Sequence, residues 1–230
     1  MLTNHRRALI WSVVLAGALL FMFAAVGRHP PSAAPETTVP FIGRWDESVL
    51  HFVDDIRDSI LTGIAKVLSF VGSGVVTIPL RILVAAWLVF RRHWRALAAW
   101  LLTWGVAELA LAAAKPFFHR GRPPLPLVAT VGYSFPSGHA VAGASIGVAL
   151  VLVLLPPGPR RRGWEMGAAG FAFAMALSRV YLNAHWFSDV VAGVLLGTSV
   201  ALGTAAIVTE VRDVWLRRAR GPAHAETSSG

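Results

Sequence analysis

Residues 135–156 read F-P-S-G-H-A-V-A-G-A-S-I-G-V-A-L-V-L-V-L-L-P, and from His139 onward no charged side chain occurs until Arg160. A hydrocarbon core of about 30 Å is crossed by about 20 apolar residues in a helix. Runs near that length also begin at Ala8, Val75, Ala96, Trp164 and Phe187. The pattern predicts an all-α fold, a six-transmembrane-helix bundle with spans at about 8–27, 75–90, 96–115, 139–156, 164–182 and 187–209 and a cytoplasmic tail over 210–230. All of it forms one membrane-embedded domain over residues 1–230.

Composition agrees with the bilayer as solvent. The chain has 230 residues, 55% of them hydrophobic and 14% charged, with a mean hydropathy of +0.60, too apolar for an ordinary soluble domain. The net charge of +9 does not point to nucleic acid, because the basic residues form short clusters between apolar runs rather than a continuous stripe. Cysteine is absent, which excludes disulfides, thiolate metal sites and cysteine nucleophiles.

The clusters instead set sidedness. Arg6 and Arg7, then Arg91, Arg92 and Arg95, then Arg160 to Arg162, then Arg212 to Arg220 all fall on one side of six alternating spans. The positive-inside rule makes that side cytoplasmic, with both termini, in a cell (inner) membrane. The first span follows two arginines and has Ser32, Ala33 and Ala34 downstream, so it imitates a signal peptide. Its length favours an uncleaved anchor.

The other side then holds residues 28–74, the loop 116–138 and a turn around Asn183. Residues 28–40 are Pro-rich and read as a linker. Val53, Ile56, Ile60, Ile64, Val67 and Val71 recur at helical spacing opposite Asp54, Asp55, Arg57 and Asp58. This predicts one extracytoplasmic amphipathic helix covering the bundle.

Three motifs converge on that outer rim. K-P-F-F-H-R-G-R-P, Lys115 to Pro123, places Lys115 and Arg122 seven residues apart; positive charge there fits either snorkelling to headgroups or an anionic substrate held by a guanidinium fork and an ammonium. F-P-S-G-H, Phe135 to His139, reads as a helix start with Ser137 as N-cap and Gly138 allowing close approach. Its free N–H groups suit phosphate, although ordinary capping explains them too. S-R-V-Y-L-N-A-H-W-F-S-D, Ser178 to Asp189, sets His185 and Asp189 four residues apart, on one face if both are helical. The carboxylate then fixes the imidazole tautomer and leaves the other nitrogen as a nucleophile; a surface or capping pair is the plainer reading.

Together the three motifs resemble the signatures of the type-2 phosphatidic acid phosphatase superfamily, to which vanadium-dependent haloperoxidases also belong. The resemblance implies that His185 attacks phosphorus, that Asp189 orients it, and that His139 protonates the leaving oxygen and later deprotonates a water. It also implies that Lys115, Arg122 and Arg179, with Ser137 and the N–H of Gly138, bind the phosphate oxygens. It implies no metal and no cofactor. The expected substrate is a membrane lipid phosphate or pyrophosphate, undecaprenyl pyrophosphate first, with phosphatidylglycerophosphate or phosphatidate as alternatives. Phe117, Phe118, His119, Leu125 and Trp186 are placed to influence headgroup choice.

Readings from other classes are a transporter, which calls for discontinuous spans or ionisable groups near the midplane, and a non-catalytic scaffold, which has no use for a His-Asp pair. A haloperoxidase lacks spans. Arg81 and Glu108 each lie about 10 Å below the outer surface at 1.5 Å per residue. A charge at that depth calls for a partner, so either the two pair or Arg81 snorkels outward.

Overall fold

The computed structural model describes residues 5–27, 40–156 and 158–219. Its helices are α1 (His5–Val26), α2 (Pro40–Asp55), α3 (Ser59–Val71), α4 (Gly74–Phe90), α5 (Trp94–Phe118), α6 (Gly138–Leu154), α7 (Pro159–Tyr181) and α8 (Phe187–Ala219), and no strand occurs among the described residues. The linker expected over 28–40 and the Ser32 to Ala34 segment lie outside the described residues, except that Pro40 opens α2.

Two helices organise the bundle. α6 is buried between α5, α7 and α8, and α8 also packs along α1. The whole stretch Ala140 to Ile146 of α6 is buried, as its small residues allow: without a hydrophobic drive between helices in lipid, association relies on close backbone approach. Glycine makes that approach possible at two points on α8. A Cβ on Gly193 would stand 2.7 Å from the Ser137 carbonyl oxygen, and one on Gly197 would stand 2.5 Å from that of Val141. Hydroxyls tie the helices further, Thr103 to Thr204 at 2.6 Å between α5 and α8 and Ser12 to the Ser199 carbonyl at 2.8 Å between α1 and α8.

Arg81 and Glu108 pair at 2.5 Å between Nη1 and Oε1, with Arg81 buried and Glu108 half-exposed. The guanidinium also lies over the Trp104 ring at 5.4 Å. Arg81 therefore does not snorkel outward.

Two expectations are corrected. The single amphipathic helix is two, broken between Asp55 and Ser59. A run of acids at a helix C-terminus opposes the dipole, whereas Asp58 in extended conformation is a good N-cap: its Oδ1 accepts the Ile60 N–H at 2.7 Å and the Leu61 N–H at 3.1 Å. Nor do Ile60, Ile64 and Val67 cover the bundle. They are exposed, while Ala65 and Ser69 face inward, because in lipid an apolar stripe marks the membrane face as readily as a core face. Of the tail expected over 210–230, residues 210–219 continue α8 as helix, with Glu210 2.7 Å from His5 Nε2 and 3.1 Å from Arg217 Nη2, and residues 220–230 lie outside the described residues.

By length and composition, α1, α5 and α8 each suffice to cross a bilayer, and α3 with α4 suffices as one span bent by 42°. α6 is apolar but has 17 residues, and α7 opens on Pro159 and three arginines. The chain is a multi-pass membrane protein. Replacing Gly197 by Ala is expected to wedge α8 off α6 and cost about 1–3 kcal/mol as overpacking does. The readout is a lowered Tm in detergent, with no loss for Gly63→Ala, where a Cβ meets nothing within 4 Å.

Candidate active site

Antiparallel packing brings the C-terminal ends of α5 and α7 and the N-terminal ends of α6 and α8 to the same end of the bundle. The Ser137 N–H donates to the Asp189 carbonyl at 3.0 Å, which stitches α6 to α8, and the Leu127 N–H donates to the Leu182 carbonyl at 2.9 Å, which stitches the loop after α5 to the α7–α8 turn. The three sequence motifs meet there.

His185 lies in the turn before α8, so it and Asp189 do not share a helix face as the spacing suggested. The turn itself holds the imidazole: the N–H groups of Ala184 and His185 both donate to the Arg179 carbonyl at the end of α7, at 3.0 and 3.2 Å. Asp189 sits in the first turn of α8, where a carboxylate complements the helix dipole. Its Oδ2 accepts the Trp186 N–H at 2.9 Å, as the returning acid of a capping box does, and stands 3.4 Å from His185 Nδ1. With Nδ1 protonated toward that carboxylate, the lone pair of Nε2 faces Arg122 Nη1 at 3.2 Å.

Beyond His185, Arg122 is held by backbone carbonyls: Ala184 at 2.6 Å, Val131 at 2.8 Å, Gly132 at 3.0 Å and Tyr133 at 3.3 Å. Lys115, in the last turn of α5, donates to the same Tyr133 carbonyl at 2.7 Å. Arg179 donates from Nη1 to Ser69 Oγ, and its Nε is buried without a partner. Ser137 is the N-cap of α6 but caps nothing with its side chain; the hydroxyl is buried and unpartnered. Gly138 follows it at the first helical position. His139 lies against the Ser69 backbone and within electrostatic reach of Arg179, His185 and Arg122. A Cβ on Gly72 would stand 3.0 Å from His139 Cδ2, so that glycine lets the α3–α4 elbow close on the imidazole.

The Ser137 hydroxyl and Arg179 Nε are both buried without a hydrogen-bond partner. Buried polar groups are otherwise nearly always satisfied. Among the described residues no cluster of three or more histidine or acidic side chains is arranged to hold a metal.

Three further contributors, Arg120, Asp46 and Ser69, lie outside the residues chosen from sequence. Arg120 is 1% exposed and donates to Asp189 Oδ1 at 2.5 Å, to Ser188 Oγ at 2.7 Å and to Asp46 Oδ2 at 2.6 Å. Asp46 and Ser69 come from α2 and α3, which carry no motif. Trp186 roofs Arg120, its ring 5.6 Å from the guanidinium, and donates through Nε1 to the Gly121 carbonyl at 2.9 Å. Of the residues placed near the headgroup, Phe118 is instead core, stacked edge-on with Phe23 and Phe135, whereas Phe117 and Leu125 are exposed.

Burial, assisted by Arg122 and Arg179, drives the His185 pKa down to about 4 from 6.5, against the pull of Asp189. The imidazole is therefore neutral at pH 7, as a nucleophile requires. Because the folded value lies below the unfolded one, the stability this group contributes is complete above pH 6.5 and is lost as pH falls toward 4. An imidazole NMR titration in detergent, assigned with His185→Ala, is expected to show His185 remaining neutral well below pH 6; titration near 6.5 would contradict its burial.

The PAP2 superfamily model matches residues 96–213. Phosphatidylglycerophosphatase B of Bacillus subtilis is 29% identical over 158 residues, covering 66% of this chain and 77% of that protein. Undecaprenyl-diphosphatase of Sulfolobus acidocaldarius is 39% identical over 69 residues, 30% of this chain and 31% of that one. A crystal structure of a transmembrane PAP2 type phosphatidylglycerolphosphate phosphatase from Bacillus subtilis superposes with a TM-score of 0.72 at 26% identity, covering 88% of this chain and 96% of that one.

Proposed function

This chain belongs to the PAP2 superfamily of membrane phosphatases, and we propose that it hydrolyses a lipid phosphate or pyrophosphate through a phosphohistidine at His185. The observation that carries the reading is the orientation of one imidazole, with Nδ1 toward Asp189 at 3.4 Å and Nε2 toward Arg122 at 3.2 Å. In the first half-reaction Nε2 attacks phosphorus, the P–N bond forms as the P–O bond to the lipid breaks, and His139 gives the leaving oxygen its proton. In the second half-reaction water donates its proton to His139, its oxygen bonds phosphorus, and the P–N bond breaks to release phosphate and free His185. Lys115, Arg122, Arg179, the Ser137 hydroxyl and the Gly138 N–H neutralise the equatorial oxygens. Such preorganised charge supplies most of phosphoryl-transfer catalysis.

Six crossings complete the proposal, by α1, α4 lengthened through α3, α5, α6, α7 and α8. Arg91, Arg92, Arg95, Arg160 to Arg162 and Arg212 to Arg218 lie at the end of the bundle opposite His185, so both termini are cytoplasmic and the site opens outward. An outward site suits undecaprenyl pyrophosphate, the carrier lipid of bacterial wall synthesis. Phosphatidylglycerophosphate is the second reading, favoured by the longer similarity to the Bacillus subtilis enzyme.

His185→Ala is expected to abolish turnover in a protein that still folds, and Asp189→Asn to leave a small residual activity. Near-normal rates in both would end the assignment. Purified protein in detergent is expected to release phosphate from one of these lipids with EDTA present and to carry acid-labile, alkali-stable phosphate on His185. Release that stops with EDTA would remove the role given to the cationic side chains.

A further inference from the structure

Asp46 lies on α2, outside all three motifs and 74 residues before Arg120, yet it is 3% exposed and every polar contact it makes leads to the site. Its Oδ1 accepts the Ser188 N–H at 2.8 Å, and its Oδ2 accepts the Ser188 hydroxyl at 2.7 Å and Arg120 Nη2 at 2.6 Å. Arg120 Nη1 then reaches Asp189 Oδ1 at 2.5 Å and Ser188 Oγ at 2.7 Å. One guanidinium thus bridges two carboxylates, each almost wholly buried.

Charge counting shows why a second acid matters. Arg120 alone would anchor Asp189 but cancel its charge, and His185 would face a neutral ion pair. Two carboxylates around one guanidinium leave the cluster with one net negative charge. Attack by His185 on phosphorus converts its ring to a cation, and in a poorly screened interior a net anion behind that ring lowers the barrier.

We infer that Asp46 is a positioning residue of this enzyme: by neutralising Arg120 it lets Asp189 be held rigidly while keeping its negative field on His185. The inference rests on the phosphohistidine reading above. It also assigns α2 a role in chemistry, since the helix delivers the only carboxylate among the described residues that contacts Arg120 besides Asp189.

The test uses the full chain in detergent with two probes, farnesyl pyrophosphate and phosphatidylglycerophosphate, and measures phosphoenzyme formation, kcat and KM. Asp46→Asn preserves size and can still accept from Ser188, and is expected to lower kcat and the phosphorylation rate about 10- to 100-fold, as loss of an outer supporting partner does. KM should change by less than about threefold, the signature of an interaction made only in the transition state. Asp46→Glu should recover a large part of the loss.

An independent readout is the His185 imidazole, which faces Asp189, Arg122, Arg179 and His139. With the net negative charge gone, its titration should move to still lower pH in Asp46→Asn. A folded Asp46→Asn with wild-type kcat overturns the inference, as do equal losses in Asp46→Asn and Asp46→Glu with an unmoved His185 titration, which would mark a purely structural role. If Asp46→Asn does not fold, Arg120→Lys replaces it. An ammonium lacks the planar fork that bridges two carboxylates, so a lowered kcat at unchanged KM is expected and a wild-type kcat overturns the inference. Wild-type protein that forms no phosphohistidine with either probe would instead overturn the reading on which this rests.

Discussion

The buried bridge from Arg120 to Asp189 is the interaction on which the geometry of this site depends. An unpaired charge in an interior of this kind costs several kcal/mol or more, so neither partner can stand there alone. Once paired, they fasten the loop after α5 to the first turn of α8. Trp186 closes over the guanidinium, Asp189 takes the Trp186 N–H, and the imidazole of His185 is left facing Arg122. Removing Arg120 would leave two buried carboxylates without a cation, removing Asp189 would leave Arg120 to Asp46 alone, and either change would take inner support from the turn carrying His185.

Around this bridge the proposed anion site is built chiefly from backbone. Arg122 is aimed by four carbonyls, and Lys115 shares one of them. Carbonyl anchors fix a guanidinium without neutralising it, so the charge remains available to an incoming phosphate. The carboxylates of Asp46 and Asp189 are kept one layer back, on Arg120, behind His185 and away from Arg122. Arg122, held by carbonyls, and Arg120, held by carboxylates, are thus anchored in different ways, which suits the binding role proposed for the first and the bracing role inferred for the second.

Between the helices the same economy appears. α6 contributes no charged side chain, and its value lies in letting α8 approach until Gly193 and Gly197 touch its backbone. That contact places the Ser137 N–H on the Asp189 carbonyl and sets the N-terminal end of α6 beside the turn that carries His185. The Arg81–Glu108 pair joins α4 to α5 below, and the α3–α4 elbow, folded tightly at Gly72, presents Ser69 to Arg179 and to His139.

Apolar run lengths, arginine clusters and three short motifs were legible along the chain because each is local: a span declares itself by composition, and Lys115, Arg122, Ser137, Gly138, His139, Arg179, His185 and Asp189 sit at fixed spacing near helix ends. Two local rules misled. Apolar periodicity could not separate a lipid-facing stripe from a buried one, so Ile60 and Val67 were turned inward, and i to i+4 spacing put His185 on a helix it precedes. Arg120, Asp46, Ser69 and Gly72 were settled only by tertiary structure. Their roles come from pairing between segments as far as 142 residues apart, as Asp46 and Ser188 are, and nothing in a residue's neighbours along the chain says which distant charge will meet it. Sequence determined which groups gather at one end of the bundle; packing decided which of them line the proposed site and which hold the others in place, because burial forces every charge to find a partner and only the fold supplies the candidates.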